Sequence, residues 1–566
     1  MKKHFILIFL CSFSLHTPVF TQSTNDCNTD ELLSEKQANE IASKIYRLFG
    51  GTKKCTNFDQ FKGCPEVFYD NDPAIATFTG CSDWRIRISK NAIEKLRKFG
   101  CNADDCLAVI IAHELWHAVN NHSSANYGSG GKNGERSKEE LESDLYGLLG
   151  AHLSGYSAAI QGYDALQDAI LNDSPNGGIH PGKVDRKKNN DTIIAKLNAV
   201  LPLYKVGTYN LLMGGASELG RAEACFKAAN ARLENGNEGL EFPQFNYQLG
   251  VVNFSRALLA YGQPWVFPLE AYDASFLTPK LRGGGDGTTD PVQLKISLDA
   301  SDRYFQKILH INPNHWDARL GMACVATLRV AIDGNIPTAN QTIAQLVADL
   351  NTELNKFPTP QKAEWEKKHV LTLKEMKDKA ALLQFLIPII PEKPADAVKK
   401  KASTDLEQLR GTTTWGFAAV NIRLLAGNAK DNPSTQVLSL PERDGLNKNT
   451  KQDIYEITIR KTAPYNPHGI INAGDKLLPL ATYQPTSYKN STLLILGEGS
   501  DAYIFQEYRG CPLTIGDINA AGGGLGKPGT GEYRYFHNEK DGYEVIVELS
   551  PDGKKIDSCV KVFKSN

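Results

Sequence analysis

Three textures of apolar spacing follow one another along the chain. From about 27 to 200, a strand-like alternation at Trp84-Arg-Ile-Arg-Ile-Ser89 gives way to helical periodicity at 91–99, 104–122, 138–154 and 157–171 and then to a Pro/Gly-containing loop, which predicts an α+β domain. From about 202 to 428 the periodicity is almost entirely helical. Ala300-Ser-Asp-Arg-Tyr-Phe-Gln-Lys-Ile-Leu309, Asn312-Pro-Asn and Trp316-Asp-Ala-Arg-Leu-Gly321 read as helix, turn, helix, the boundary of a tetratricopeptide-like repeat. A second pair around Tyr247 to Phe254 is less regular, and a Gly/Thr-rich loop at 283–289 blurs the period. From about 445 onward, β-rich runs such as Ile454-Tyr-Glu-Ile-Thr-Ile459, Leu493-Leu-Ile-Leu496 and Tyr543-Glu-Val-Ile-Val-Glu-Leu549 are separated by Gly, Pro and Asn, which predicts a small β domain.

The start of the chain reads as an address. Lys2 and Lys3 precede the apolar run Phe5 to Leu10, which fades toward Leu15 before the polar Thr21-Gln22-Ser23, so residues 1–22 are expected to be a signal peptide. The expected organisation is therefore signal peptide 1–22, α+β domain 23–200, helical-repeat region 201–430 and β-rich domain 445–566. At 566 residues the chain exceeds one core. With 63 basic and 64 acidic residues it offers no overall attraction for nucleic acid or anionic lipid, and no later apolar run is long enough to anchor it in a membrane.

Export changes how the cysteines read. Cys27, Cys55, Cys64, Cys81, Cys101 and Cys106 crowd into one stretch, and none of their spacings is the Cys-x-x-Cys of a structural zinc site, so disulfides are expected there. Cys511 and Cys559 can close a loop in the last domain, whereas Cys225 and Cys324 lie in helical patterns as core residues. Gly522-Gly-Gly-Leu-Gly-Lys527 is not a phosphate loop, because Ala521 and Pro528 stand where that motif needs Gly and Ser/Thr.

The chemistry lies in Cys106-Leu-Ala-Val-Ile-Ile-Ala-His113-Glu114-Leu-Trp-His117-Ala-Val-Asn-Asn-His122. Asp104 and Asp105 suit a helix start, and the dense apolar residues after them predict a helix buried on most of its circumference. His113 and His117, four apart, project from one face and can give two imidazoles to one zinc ion, with Glu114 beside the open position as general base. A buried His pair can also be hydrogen-bonded core, but two histidines and a glutamate inside an apolar helix are costly without a shared partner. A catalytic zinc keeps three protein ligands. The next helix offers Glu139, Glu140 and Glu142 in Ser137-Lys-Glu-Glu-Leu-Glu-Ser-Asp144-Leu-Tyr-Gly147, and Ser137 with Glu140 also has the spacing of a capping box.

These residues resemble the gluzincin metallopeptidases that include the CAAX prenyl endopeptidases, HtpX and the periplasmic BepA-type enzymes, whose pattern is HExxH on one helix and ExxxD on the next. The resemblance implies a zincin-like peptidase domain with one zinc ion per chain. It makes Glu140 the third ligand and Asp144 a carboxylate that orients a ligating imidazole; Gly147 also matches, and Ser143 replaces an alanine. His122, Ser154-Gly-Tyr156 and the His180-Pro181…Arg186 segment extend the likeness over roughly 85–195. His122 is expected to make a structural hydrogen bond, while His180 and Arg186 have either structural or substrate-contacting roles. The N-terminal cysteines and Thr77-Phe-Thr-Gly-Cys81 depart from the family pattern. BepA-type members also join this domain to tetratricopeptide repeats after an export signal.

Together these features predict an exported zinc metalloendopeptidase, periplasmic or secreted and able to work at the outer membrane. Its partners are polypeptide substrates and proteins held by the repeats. The rival reading keeps the zinc site but gives the work to the helical array, as a chaperone-like binding module whose proteolysis is gated or little used.

Overall fold

The computed structural model describes residues 28–49, 64–72, 75–79, 83–120, 122, 133–156, 160, 162–170, 183–234, 242–269, 289–357, 359–361, 364–391, 394–426, 465–474, 476–484, 491–498, 502–508, 510–522, 533–538, 543–549 and 556–564. The expected signal peptide, the strand at 454–459 and most of the two glycine-rich stretches lie outside these residues.

The first region places short helices around a three-stranded sheet. Helix α1 (Thr29–Leu32) leads into α2 (Glu35–Leu48), which Ser34 caps by accepting from Gln37 N–H. Strands β1 (Glu66–Asp70), β2 (Ala76–Phe78) and β3 (Arg85–Ser89) run in the order β1-β3-β2, with β1 parallel and β2 antiparallel to β3. Asn39 ties α2 to β1, donating to Val67 O at 2.8 Å and accepting from Val67 N–H at 2.9 Å. Helix α3 (Lys90–Leu96) starts at a Ser89 cap, and α4 (Ala103–Asn120) follows. As the dense apolar pattern requires, α4 is buried from Ala103 to Val119 with few gaps. Helix α5 (Asn133–Leu153) packs along it, and α6 (Tyr163–Ile170) completes the region.

A run of helices occupies the middle of the chain: α7 (Lys183–Met213), α8 (Ala216–Glu234), α9 (Pro243–Tyr261), α10 (Pro291–Ile311), α11 (Trp316–Asp333), α12 (Ile336–Leu354), α13 (Glu364–Leu386), α14 (Asp396–Glu407) and α15 (Trp415–Leu425). Sequence neighbours pack on one another from α7 to α13. Glycines set the closeness of this stacking. Phe305 of α10 is fully buried between Gly250 of α9 and Gly321 of α11, where an added Cβ would lie 2.5 and 2.6 Å from its ring. The expected Asn-Pro-Asn boundary is a turn. Asn312 Oδ1 accepts from Asn314 N–H, and His315 Nδ1 caps α11. The two regions are joined where Arg47 of α2 reaches Asp317 of α11 at 3.2 Å. Burial opposes ionisation of Asp317, but Arg47 beside it holds the carboxyl down at about 2. Helix α7 runs without interruption across residue 200, where a domain boundary was expected.

The C-terminal region is a seven-stranded antiparallel sheet: β4 (Tyr465–Ala473), β5 (Lys476–Tyr483), β6 (Ser491–Leu496), β7 (Tyr503–Tyr508), β8 (Tyr533–Asn538), β9 (Tyr543–Leu549) and β10 (Ile556–Lys564), ordered β4-β5-β6-β7-β10-β9-β8. Its alternation is apolar on both sides. Leu494, Leu496, Phe505, Ile546, Val560 and Val562 enter the core shared with the first region, while Leu493, Ile495, Ile504, Val545, Val547 and Phe563 form a second core with α16 (Ile515–Gly522). The first face is held on α7 and α8. Phe505 stacks on Tyr209 at 5.6 Å, Glu507 accepts from Lys205 at 3.1 Å and Tyr209 at 2.6 Å, and the Arg221 guanidinium lies 3.7 Å over Tyr503.

The cysteine expectations divide. Cys101 is in a disulfide, and Cys27, Cys55 and Cys81 lie outside the described residues. Cys106, expected among the bridges, is instead a thiol inside α4's buried face, where burial pushes it up to about 12. Cys64 donates to Pro65 O at 3.5 Å. Cys511 and Cys559 come together as thiols hydrogen-bonded to each other, and Cys225 and Cys324 are core residues as expected.

Because Phe505 is fully buried where the sheet meets α7, Phe505→Ala is expected to cost about 3–5 kcal/mol. Calorimetry should show the sheet unfolding together with the rest, in one transition at a lower Tm, rather than in a separate early step.

Candidate metal centre

Helices α4 and α5 bring the expected ligands to one point. His113 Nε2 and His117 Nε2 are 3.1 Å apart, and Glu140 places Oε2 3.5 Å from the first and Oε1 3.6 Å from the second. His113, His117 and Glu140 form the one group of metal-ligating side chains of this kind among the described residues, and all three are buried. Of the three acids left open by spacing, Glu139 is only partly covered and Glu142 reaches Lys138 at 3.8 Å. Glu140 alone turns inward toward both imidazoles.

A close approach of two helices makes this possible. A Cβ on Gly147 would meet His113 N at 2.8 Å and His113 Cα at 2.9 Å, so only glycine lets α5 lie directly against the main chain of the motif. One turn on, a Cβ at Gly150 would strike the Phe49 ring at 2.3 Å. Trp116 stacks on Tyr146 at 4.4 Å, Tyr146 on Phe242 at 5.9 Å, and Phe49 meets Trp116 edge-on at 5.1 Å. This aromatic ladder joins α4 and α5 to Phe242, the cap residue of α9.

Each imidazole has partners on its outer nitrogen. His113 Nδ1 donates to Asp144 Oδ1 at 2.9 Å, as the ExxxD pattern implied. Burial opposes protonation of His113, but the hydrogen bonds to Asp144 and Glu140 outweigh it and raise the imidazole to about 10 in the metal-free protein. His117 Nδ1 lies 3.2 Å from His122 Nδ1 and 3.3 Å from Ser143 Oγ. Of the further expected residues, His180 lies outside the described residues. Arg186 falls within α7, and its side chain is likewise outside them.

Glu114 is held by a contact that no spacing rule reveals: Phe78 N–H, at the end of edge strand β2, donates to Glu114 Oε2 at 2.8 Å. Phe78 is backed edge-on by Trp84 at 5.3 Å, and Trp84 is the one non-glycine residue among those described with φ in the left-handed region, at +56°. Thr79 closes the turn, its hydroxyl donating to Arg85 O and accepting from Arg85 N–H, both at 3.0 Å. The strand-like Trp84–Ser89 run was legible in the sequence, whereas β2 and its donor to Glu114 left no periodic signal in three residues.

No family model, curated protein or solved structure matches this chain. No helix among the described residues is long and apolar enough to cross a membrane.

Two outcomes follow from this geometry. Gly147→Ala should cost about 1–3 kcal/mol by overpacking and weaken metal retention, read as a lower Tm with less bound metal after dialysis. In the metal-free protein, protonated His113 contributes stability that is full below its ordinary 6.5 and is lost as pH rises through about 10. Metal needs the neutral ring, so uptake at neutral pH should release a proton and affinity should rise with pH. Calorimetry in buffers of different ionisation enthalpy measures that proton.

Proposed function

We propose that this protein is a zinc-dependent metalloendopeptidase acting on polypeptides, with zinc held by His113, His117 and Glu140 and the proton carried by Glu114. The mutual spacing of the three donors carries this reading. Two ligands each about 2.0–2.1 Å from a tetrahedral zinc stand about 3.3 Å apart; the two imidazole nitrogens are 3.1 Å apart, and the Glu140 carboxylate offers one oxygen to each of them, at 3.5 and 3.6 Å. Two nitrogens and one carboxylate also make the three-ligand set of a catalytic rather than a closed structural site.

Zinc, when bound, supplies Lewis-acid polarisation of a carbonyl and lowers the pKa of water at the site. The protein's own groups do the rest. Asp144 fixes the His113 proton on Nδ1 and so turns Nε2 toward the other donors. With Oε2 engaged by Phe78 N–H, Glu114 keeps Oε1 to take a proton from the attacking water and return it to the departing amine. Peptide bonds are favoured as the target by the likeness to gluzincin peptidases, in which HExxH on one helix is followed by ExxxD on the next. The helical array, tetratricopeptide-like at its Asn312-Pro-Asn turn, is read as the surface that presents polypeptides. The basic and apolar start of the chain is read as an export signal, to the periplasm or beyond.

The test uses protein lacking residues 1–22. Wild type and Glu114→Gln should both carry close to one zinc by elemental mass spectrometry, while cleavage of an unfolded polypeptide by the variant falls about 10²–10⁴-fold. Undiminished cleavage by the purified variant would remove Glu114 from its role.

A further inference from the structure

The two ligating imidazoles are supported in different ways. A histidine that binds metal through Nε2 carries its proton on Nδ1, and that N–H needs an acceptor to fix the ring. His113 has an anionic acceptor, Asp144, at 2.9 Å. Near His117 Nδ1 stand two groups that can accept a proton's hydrogen bond without carrying a carboxylate's charge: His122 Nδ1 at 3.2 Å, from a ring edge-on at 5.3 Å between centroids, and Ser143 Oγ at 3.3 Å. They approach from different elements. Ser143 is fully buried on α5, beside Asp144, and His122 stands just beyond the end of α4.

His122 is tied to His117 twice. Besides the ring contact, its main-chain N–H donates to His117 O at 2.9 Å, closing the chain back on the helix end five residues after the ligand. This second bond holds the His122 main chain within reach of the ligand-bearing turn.

We propose that His122 and Ser143 are positioning residues for His117, together accepting its Nδ1 proton and holding Nε2 at the metal, so that both set the affinity of the site. The inference rests on the zinc reading above. His122 accepts at Nδ1 with its own proton on Nε2, and the Ser143 hydroxyl offers the second acceptor. On α5, the consecutive residues Ser143 and Asp144 then serve the two ligands separately, Ser143 acting on His117 and Asp144 on His113.

The test measures metal rather than turnover. Protein lacking residues 1–22 is stripped, and its zinc Kd is obtained by competition with a chromophoric chelator; the cobalt(II) form is examined by visible absorption. His122→Phe, which keeps a ring and removes the acceptor, should weaken zinc binding about 10–100-fold and alter the cobalt bands. His122→Gln, which restores an acceptor, should recover most of that loss. Ser143→Ala should weaken binding less than His122→Phe, and the double variant more than either. If His122→Phe binds zinc as wild type does, with unchanged cobalt bands and only a lower Tm, His122 is a helix-end brace and the proposal is overturned while the metal site stands. If wild type itself takes up neither metal, the zinc reading fails and this inference falls with it.

Discussion

Helices α4 and α5 lie as close as a glycine permits, and everything at the candidate metal centre is measured from that contact. Gly147 rests on the main chain of His113, where any side chain would be driven into backbone atoms. Counting back along α5 by the helical repeat, Asp144, Ser143 and Glu140 fall on the same side of the helix. With the closeness fixed at Gly147, Asp144 meets His113, Ser143 meets His117 and Glu140 reaches both. A wider spacing would leave the carboxylate short of the imidazoles by the width of a side chain.

That closeness is protected from outside the two helices. The ladder Phe49, Trp116, Tyr146 and Phe242 draws one ring from the residue that ends α2, one each from α4 and α5 and one from the entry to α9. Each aromatic pair contributes about 0.5–1.5 kcal/mol beyond its buried area, and sliding α4 along α5 would disturb the ladder throughout. Arg47 and Asp317 make a second, ionic joint between the same regions. The helical array is therefore part of what keeps the centre in shape, and it cannot be regarded only as an appendage carrying its own surface.

Much of this was legible in the sequence, and the reasons for the rest are physical. His113 and His117 were readable because an i, i+4 pair on an apolar helix has one geometric meaning, and the strands at 493–496 and 543–549 were readable from their apolar runs. Glu140 could not be separated from Glu139 and Glu142 by spacing, since all three lie within one turn; the contact of Gly147 with His113 decides among them. The Phe78 donor to Glu114 was invisible because a main-chain N–H has no residue type to mark it. Cys106 misled because crowding of cysteines in the chain says nothing about which of them points into a core. The sheet's strand order was likewise hidden, since pairing between β7 and β10 depends on contacts far apart in the chain.

The position of β10 has a consequence for how the molecule comes into being. It is the last strand described, yet it is an interior strand, with β7 on one side and β9 on the other, and its Val560 and Val562 join the core that begins at Leu33. A chain delivered from its N-terminus, by a ribosome or through a translocation pore, presents β4 to β7 and then β8 and β9 before the strand that unites them. Until then two partial sheets stand with unpaired edges, and the core behind α4 and α5 stays open. Assembly of the centre is thereby coupled to arrival of residues more than 400 positions downstream of the histidines.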